Sequence, residues 1–148
     1  MKVLVIHGQG MELRGITQLE IFGPMTLPEY DAQIRREADA LGIDVEIVQS
    51  NDEGEVIALL GDARSRGIGA VLINPAGFMS GRPALVAALS ALDLPAVEVH
   101  VSNPARRHKV SEVTAVVHGT VTGFGVASYG LALRAVRDAA GIPARSGL

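Results

Sequence analysis

Residues 95–103 read Pro95-Ala96-Val97-Glu98-Val99-His100-Val101-Ser102-Asn103. An apolar strand, Pro95–Val99, gives way here to a histidine and a run of hydrogen-bonding groups. In an open parallel sheet, ligands bind beyond the carboxyl ends of the strands. Two other apolar runs end in the same manner. Val3-Leu4-Val5-Ile6 leads into His7-Gly8-Gln9-Gly10, and Ala70-Val71-Leu72-Ile73 leads into Asn74-Pro75-Ala76-Gly77. Both runs are apolar throughout, as strands buried on both faces are.

Helical patterns alternate with these strands. Thr26-Leu27-Pro28-Glu29 is a capping box with proline in the first turn. Tyr30, Ile34, Ala38 and Leu41 then share one face, and Gly42 is placed to end the helix. Val45–Val48 reads as the second strand. Asn51 or Asp52 caps a helix to about Arg66, turning Val56, Leu59, Leu60 and Ala63 inward. A third helix starts near Pro83 and buries Leu85, Ala88 and Leu89. Ala96–Val99 is the fourth strand and Thr114–Val121 the fifth, and after Gly123-Phe124-Gly125 a last helix runs to about Ala140. His7–Met25 and residues 103–112 lack periodicity and read as loops. The alternation predicts an α/β fold: a flavodoxin-like, five-stranded parallel sheet in the order 2-1-3-4-5, with helices on both faces. That order makes strands one, three and four neighbours, so their polar ends meet in one crevice.

A length of 148 residues predicts a single domain over 1–148, with residues 141–148 as a frayed tail. Hydrophobic residues are 48% and charged residues 20%, which excludes a disordered chain. Aromatics are only 3%, so the core is aliphatic. Net charge is −3 without a basic block, which argues against nucleic acid. The absence of cysteine removes disulfides, thiolate metal sites and thiol nucleophiles together. The opening apolar run is shorter than a signal peptide requires, and no run reaches membrane-spanning length, so a cytoplasmic protein with no membrane partner is expected.

With these residues placed, the chain resembles the type II 3-dehydroquinate dehydratases (type II dehydroquinases) from about Lys2 to Ala140. The resemblance is carried by Gln49-Ser50-Asn51-Asp52-Glu53-Gly54-Glu55, Asn74-Pro75-Ala76-Gly77, residues 97–103 and Gly123-Phe124-Gly125. It implies a shikimate-pathway lyase that dehydrates 3-dehydroquinate through an enolate and needs no cofactor. A loop tyrosinate, favoured by a nearby arginine, takes the first proton. An asparagine in a Gly-Pro-Asn turn holds a water against the enolate. His100 gives its proton to the departing hydroxyl, and the substrate carboxylate lies near Ser102 and Asn103. The resemblance also implies a homo-oligomer, a trimer-based dodecamer.

The first loop departs from that pattern. Phe22 stands at the tyrosine position, Thr17 at the arginine position and Gly10 at the turn asparagine; Ser80 replaces a histidine and Ala87 an intersubunit aspartate. A phenyl ring has no ionisable proton, and each lost role typically carries ~10²-fold in rate.

The candidate catalytic residues are therefore His100, Glu98 and Glu20. Glu98 lies two residues before His100, on the same strand face, where a carboxylate can orient an imidazole. Glu20, with Glu12 and His7, lies on or beside the altered loop as a replacement acid or base. The alternative for Glu12 is a surface ion pair with Arg14. Asn74, Gly77, Val101, Ser102, Asn103 and Arg106 are the candidate substrate-binding residues, with Arg82 as a further carboxylate fork. Asn74 has an alternative role, bonding its own loop backbone ahead of Pro75. His118 reads as structural or interfacial. His7, His100, His108 and His118 have no metal-site spacing, so no metal is expected. Two functions stay open: a dehydroquinase-like lyase acting on a small hydroxylated carboxylate, or a catalytically silent carboxylate-binding or structural homologue.

Overall fold

The computed structural model describes residues 1–139. Five parallel strands form one sheet: β1 (Lys2–Gln9), β2 (Asp44–Gln49), β3 (Ala70–Ala76), β4 (Ala96–His100) and β5 (Gly119–Thr122). Their order is β2-β1-β3-β4-β5, as the alternating pattern predicts. Besides a one-turn helix α1 (Leu19–Phe22), the helices are α2 (Leu27–Ala40), α3 (Glu53–Asp62), α4 (Pro83–Ala91) and α5 (Ala127–Asp138). The predicted tail from Gly141 lies outside the described residues.

Side chains alternate across a strand, so the sheet divides its apolar residues between two layers. Val3, Val5, Leu72, Val97 and Val99 pack with Tyr30 and Ile34 of α2 and with Leu133 and Val136 of α5. Leu4, Ile6, Val71 and Ile73 pack on the other face with Val56 and Leu60 of α3 and Leu85 and Leu89 of α4. Each such side chain, wholly withdrawn from water, contributes on the order of 2 kcal/mol before chain entropy is subtracted. The start of α2 is set as its sequence dictates. Thr26 accepts from the Glu29 amide while the Glu29 carboxylate accepts from Thr26. Asp52, rather than Asn51, caps α3 through the Gly54 amide.

Four boundaries differ from the sequence expectation. β1 continues through His7, Gly8 and Gln9, because His7 stays in register with Gln49 and Asn74, and Gln9 with Ala76. The segment before Met25 is not one loop: a 3-10 turn (Met11–Leu13) and α1 interrupt it. α3 ends at Asp62, and a separate 3-10 turn covers Arg64–Arg66. β5 begins at Gly119 rather than Thr114, because Thr114–Val116 is a 3-10 turn whose threonine hydroxyl is drawn to Glu98 of β4.

The carboxyl ends of β1 and β3 approach each other very closely at Gly8. A methyl group there would fall 2.1 Å from the Pro75 carbonyl oxygen. Gly8→Ala is therefore expected to cost about 3 kcal/mol through forced separation of the two strands. A lower urea midpoint at unchanged slope would read this out; an unchanged midpoint would show that the strands part freely there.

Candidate functional site

Glu98 is wholly buried in β4. Its Oε2 accepts from Nε2 of His100 at 2.8 Å and from the Ser111 hydroxyl, and its Oε1 accepts from the Thr114 hydroxyl. Burial works against ionisation, but these hydrogen bonds outweigh it and hold the carboxyl below its ordinary pKa. An ionised carboxylate only accepts, so Nε2 of His100 carries a proton and Nδ1 is the ring atom left for a ligand. Nδ1 accepts a proton when the ring is neutral and donates one when it is charged.

His100 opens onto a cavity of about 460 Å³, bounded by the first loop and the ends of β3 and β4. That size suits a small organic ligand. Asn74 forms part of the floor at 2% exposure. Its amide nitrogen donates to the Tyr129 hydroxyl at 3.1 Å, and its oxygen accepts from the Ala76 amide at 3.2 Å. Tyr129 in turn lies 3.3 Å from Nδ1 of His7, and Nε2 of His7 lies 2.9 Å from Asp31 of α2. In the His7 tautomer that donates from Nε2 to Asp31, Nδ1 accepts from the Tyr129 hydroxyl, which in turn accepts from Asn74. An amide has a second N–H, and Asn74 keeps it for the cavity side.

The first loop supplies the facing wall. The Phe22 ring borders the cavity, and the Arg14 guanidinium stacks 3.6 Å from its centroid. Arg107 approaches the same ring at 5.8 Å and donates from Nη1 to the Ser102 hydroxyl at 3.2 Å. Arg14 is only 7% exposed, and its Nε is buried without a hydrogen-bond partner. Burial lowers its pKa from the ordinary value, yet a guanidinium stays charged at any physiological pH. Lys109 also borders the cavity, and no aspartate or glutamate does. Burial raises the pKa of Tyr30 and of Tyr129, so neither supplies a tyrosinate near Phe22.

A family model for dehydroquinase class II matches residues 1–137. The chain belongs to that family. A 3-dehydroquinate dehydratase of Caldanaerobacter subterraneus subsp. tengcongensis is 42% identical over 139 residues, covering 92% of this chain and 93% of that one. The type II dehydroquinase of Butyrivibrio crossotus superposes with a TM-score of 0.87 at 30% identity, over 93% of this chain and 97% of that one. A 3-dehydroquinate dehydratase-like protein from Bifidobacterium longum gives 0.70 at 31% identity, over 92% and 94% of the two chains.

Within this dehydroquinase fold, His100, Asn74, Gly77, Val101 and Ser102 meet at the cavity as their sequence positions suggest. Gly77 packs closely on the end of β1, where a methyl group would fall 3.0 Å from the Gln9 carbonyl oxygen. Glu98 stands behind His100 and positions it. Glu20 does not reach the cavity. On the single turn of α1, Gln18, Ile21 and Phe22 face inward, which puts Glu20 on the exposed side. Glu12 is bound by Gln49 and Asn51 and fastens the loop to the end of β2, rather than pairing with Arg14. His7 is sealed in the core. Asn103 and Arg106 are exposed and off the cavity; the next arginine, Arg107, takes the inward place because the 3-10 turn Pro104–Arg107 rotates its neighbours apart. Arg82 is held by Glu53 at 3.3 Å. His118 is structural, its Nδ1 accepting from the Ala96 amide. Sequence reasoning missed Arg14 and Arg107 as cavity residues. The signal for Arg14 was an arginine in an altered loop that had lost its expected one.

The lowered pKa of Glu98 has a signed consequence. Its native value lies below that of the unfolded chain, so its contribution is present above the ordinary carboxylate value of 4.5 and is lost as pH falls through the native value. Glu98→Gln is expected to destabilise the protein by about 2 kcal/mol at pH 7. The deficit should shrink as the pH is lowered toward 3, as melting temperatures would record. Parallel melting curves for the two proteins across that range would refute an ionised Glu98.

Proposed function

We propose that the protein is a carbon–oxygen lyase that dehydrates 3-dehydroquinate, or a closely related small hydroxylated carboxylate, with His100 as its proton-transferring group. One observation carries this reading: His100 is fixed through Nε2 by a buried carboxylate and lines a ligand-sized cavity, which leaves Nδ1 as the ring nitrogen for a ligand. Among the described residues, His100 is the cavity-lining side chain of a type that both takes and gives a proton; Arg14, Arg107 and Lys109 supply positive charge. The carboxylate of the substrate sits against Val101 and Ser102 with Arg107 as its counter-charge, and Asn74 donates to a substrate oxygen.

With Phe22 at the loop position, the simplest balanced route uses His100 twice. Neutral His100 takes the proton beside the ketone at Nδ1, leaving an enolate. The enolate electrons then expel the β-hydroxyl, which leaves as water with the proton returned from Nδ1. Glu98 stabilises the charged ring between the two steps, and Arg107 and Lys109 favour the enolate. This route makes no use of Glu20, Glu12 or His7, which lie away from the cavity. No helix among the described residues is long and apolar enough to cross a membrane. A cytoplasmic homo-oligomer, built from trimers as a dodecamer, completes the proposal.

A second reading is favoured by Phe22 itself, whose ring replaces the expected ionisable group: a protein that binds small carboxylates without turning them over. Formation of the conjugated enone, followed by absorbance, separates the two. Turnover that falls at least ~10²-fold in His100→Ala supports the lyase. A carboxylate that raises the melting temperature with no product at any enzyme concentration supports the binding protein.

A further inference from the structure

Arg14 is a charge buried at the wall of the cavity. It is buried, its Nε has no hydrogen-bond partner, and no hydrogen bond or ion pair joins it to a carboxylate among the described residues. The nearest acid in sequence, Glu12, acts on Arg14 through its charge without a hydrogen bond or ion pair, and its carboxylate is bound by the Gln49 and Asn51 amides. A buried cation whose donors are left unpaired is costly, and an anionic ligand group would remove that cost. The Phe22 face holds the guanidinium in place by cation–π contact while leaving its edge free to donate. Arg107 lies against the same ring but is turned to Ser102. The cavity thus has two separately oriented guanidinium groups and no acidic side chain in its lining, inside a chain of net charge −3.

We propose that Arg14 forms a second anion subsite, so that the physiological ligand carries two anionic groups, one toward Ser102 and Arg107 and the other, a carboxylate or phosphate, against Arg14. The inference rests on the carboxylate-binding site described above and, within the substrates proposed there, selects a related hydroxylated carboxylate with a second anionic group over 3-dehydroquinate, which carries a single carboxylate. It explains the altered loop in chemical terms. Phe22 replaces an ionisable ring with a platform that orients a cation, and Arg14 then selects for charge at a second point on the ligand. A guanidinium binds a carboxylate or phosphate through paired N–H donors, which lysine cannot reproduce.

The test is calorimetric titration of the intact protein with three ligands on one scaffold: cyclohexanecarboxylate, cis-cyclohexane-1,3-dicarboxylate and 3-phosphonocyclohexanecarboxylate. Wild type, Arg14→Met and Arg14→Lys are compared. The dianions should bind wild type at least tenfold more tightly than the monoanion. In Arg14→Met that ratio should fall to within twofold of unity, while monoanion affinity changes less than twofold. Arg14→Lys should recover only part of the selectivity. The tighter of the two dianions identifies carboxylate or phosphate as the group recognised. Arg14→Met should melt no lower than wild type, because it exchanges an unpaired buried charge for an apolar side chain of similar length. A wild type that binds the monoanion but does not prefer either dianion, or a preference that survives Arg14→Met, overturns the second subsite alone. Failure of all three ligands to bind wild type overturns the carboxylate site itself and the inference with it.

Discussion

A negative charge buried in the middle of a sheet must be answered by donors, and Glu98 determines where those donors go. It occupies a strand position whose neighbours Val97 and Val99 are apolar and buried. Leaving its oxygens unpaired there would cost several kcal/mol. The chain answers with His100 from the same strand and with Ser111 and Thr114 from the segment that follows. Three consequences follow from one carboxylate. The imidazole is locked with Nδ1 outward. The polar segment after β4 is tied back under the strand instead of hanging free. Thr114 is withdrawn from the sheet, so β5 starts late at Gly119. The cavity wall and the edge of the sheet are therefore shaped by the same interaction that orients the reactive ring.

The opposite wall obeys a different economy. The family pattern implies a loop in which a cation lowers the pKa of a tyrosine. Here Phe22 and Thr17 remove both partners from those positions, yet a cation returns from another place, Arg14, and lies on the phenyl face. The geometry of a charge beside an aromatic ring is kept while its chemical use changes, since a phenyl ring has no proton to lose. The positive character of the cavity survives with it. Arg14, Arg107 and Lys109 border the space with no carboxylate among them. With Phe22 at the loop position, His100 is the side chain of the lining whose type can both take and give a proton.

The strand order and the crevice were legible because they rest on signals that alternate locally: continuous apolar runs, a capping box at Thr26 and polar residues at strand ends. His100, Asn74 and Ser102 were found for that reason. What was not legible depends on contacts between distant residues. His7 reads as a loop residue by hydrophobicity, and it is a strand residue because Asp31 and Tyr129 satisfy its ring from two helices. Glu20 and Phe22 are two positions apart in an aperiodic segment. Only the formation of α1 decides that one faces water and the other the cavity. Arg106 and Arg107 are adjacent and chemically identical, so composition cannot choose between them; a 3-10 turn does. Arg14 was hardest, because exposed arginines are the rule and nothing local announces burial.

The row from Asp31 to Asn74 shows how the hidden part of the site is held. Asp31 sits on α2, His7 on β1, Tyr129 on α5 and Asn74 on β3, so four elements contribute one group each. Asn74 donates one N–H to Tyr129 at the end of this row, which leaves its other N–H for the cavity. Asn74 also accepts from Ala76, a residue held at φ 47°, a left-handed conformation that costs about 1 kcal/mol outside glycine. The side chain that faces the ligand is thus fixed from behind by the row and from beside by a strained turn. A network of this kind trades a simpler apolar core for orientation, which is worthwhile only where one amide proton must point one way. Asn74 therefore has both roles that its sequence position left open: it builds its own turn with one edge and offers the other to the cavity.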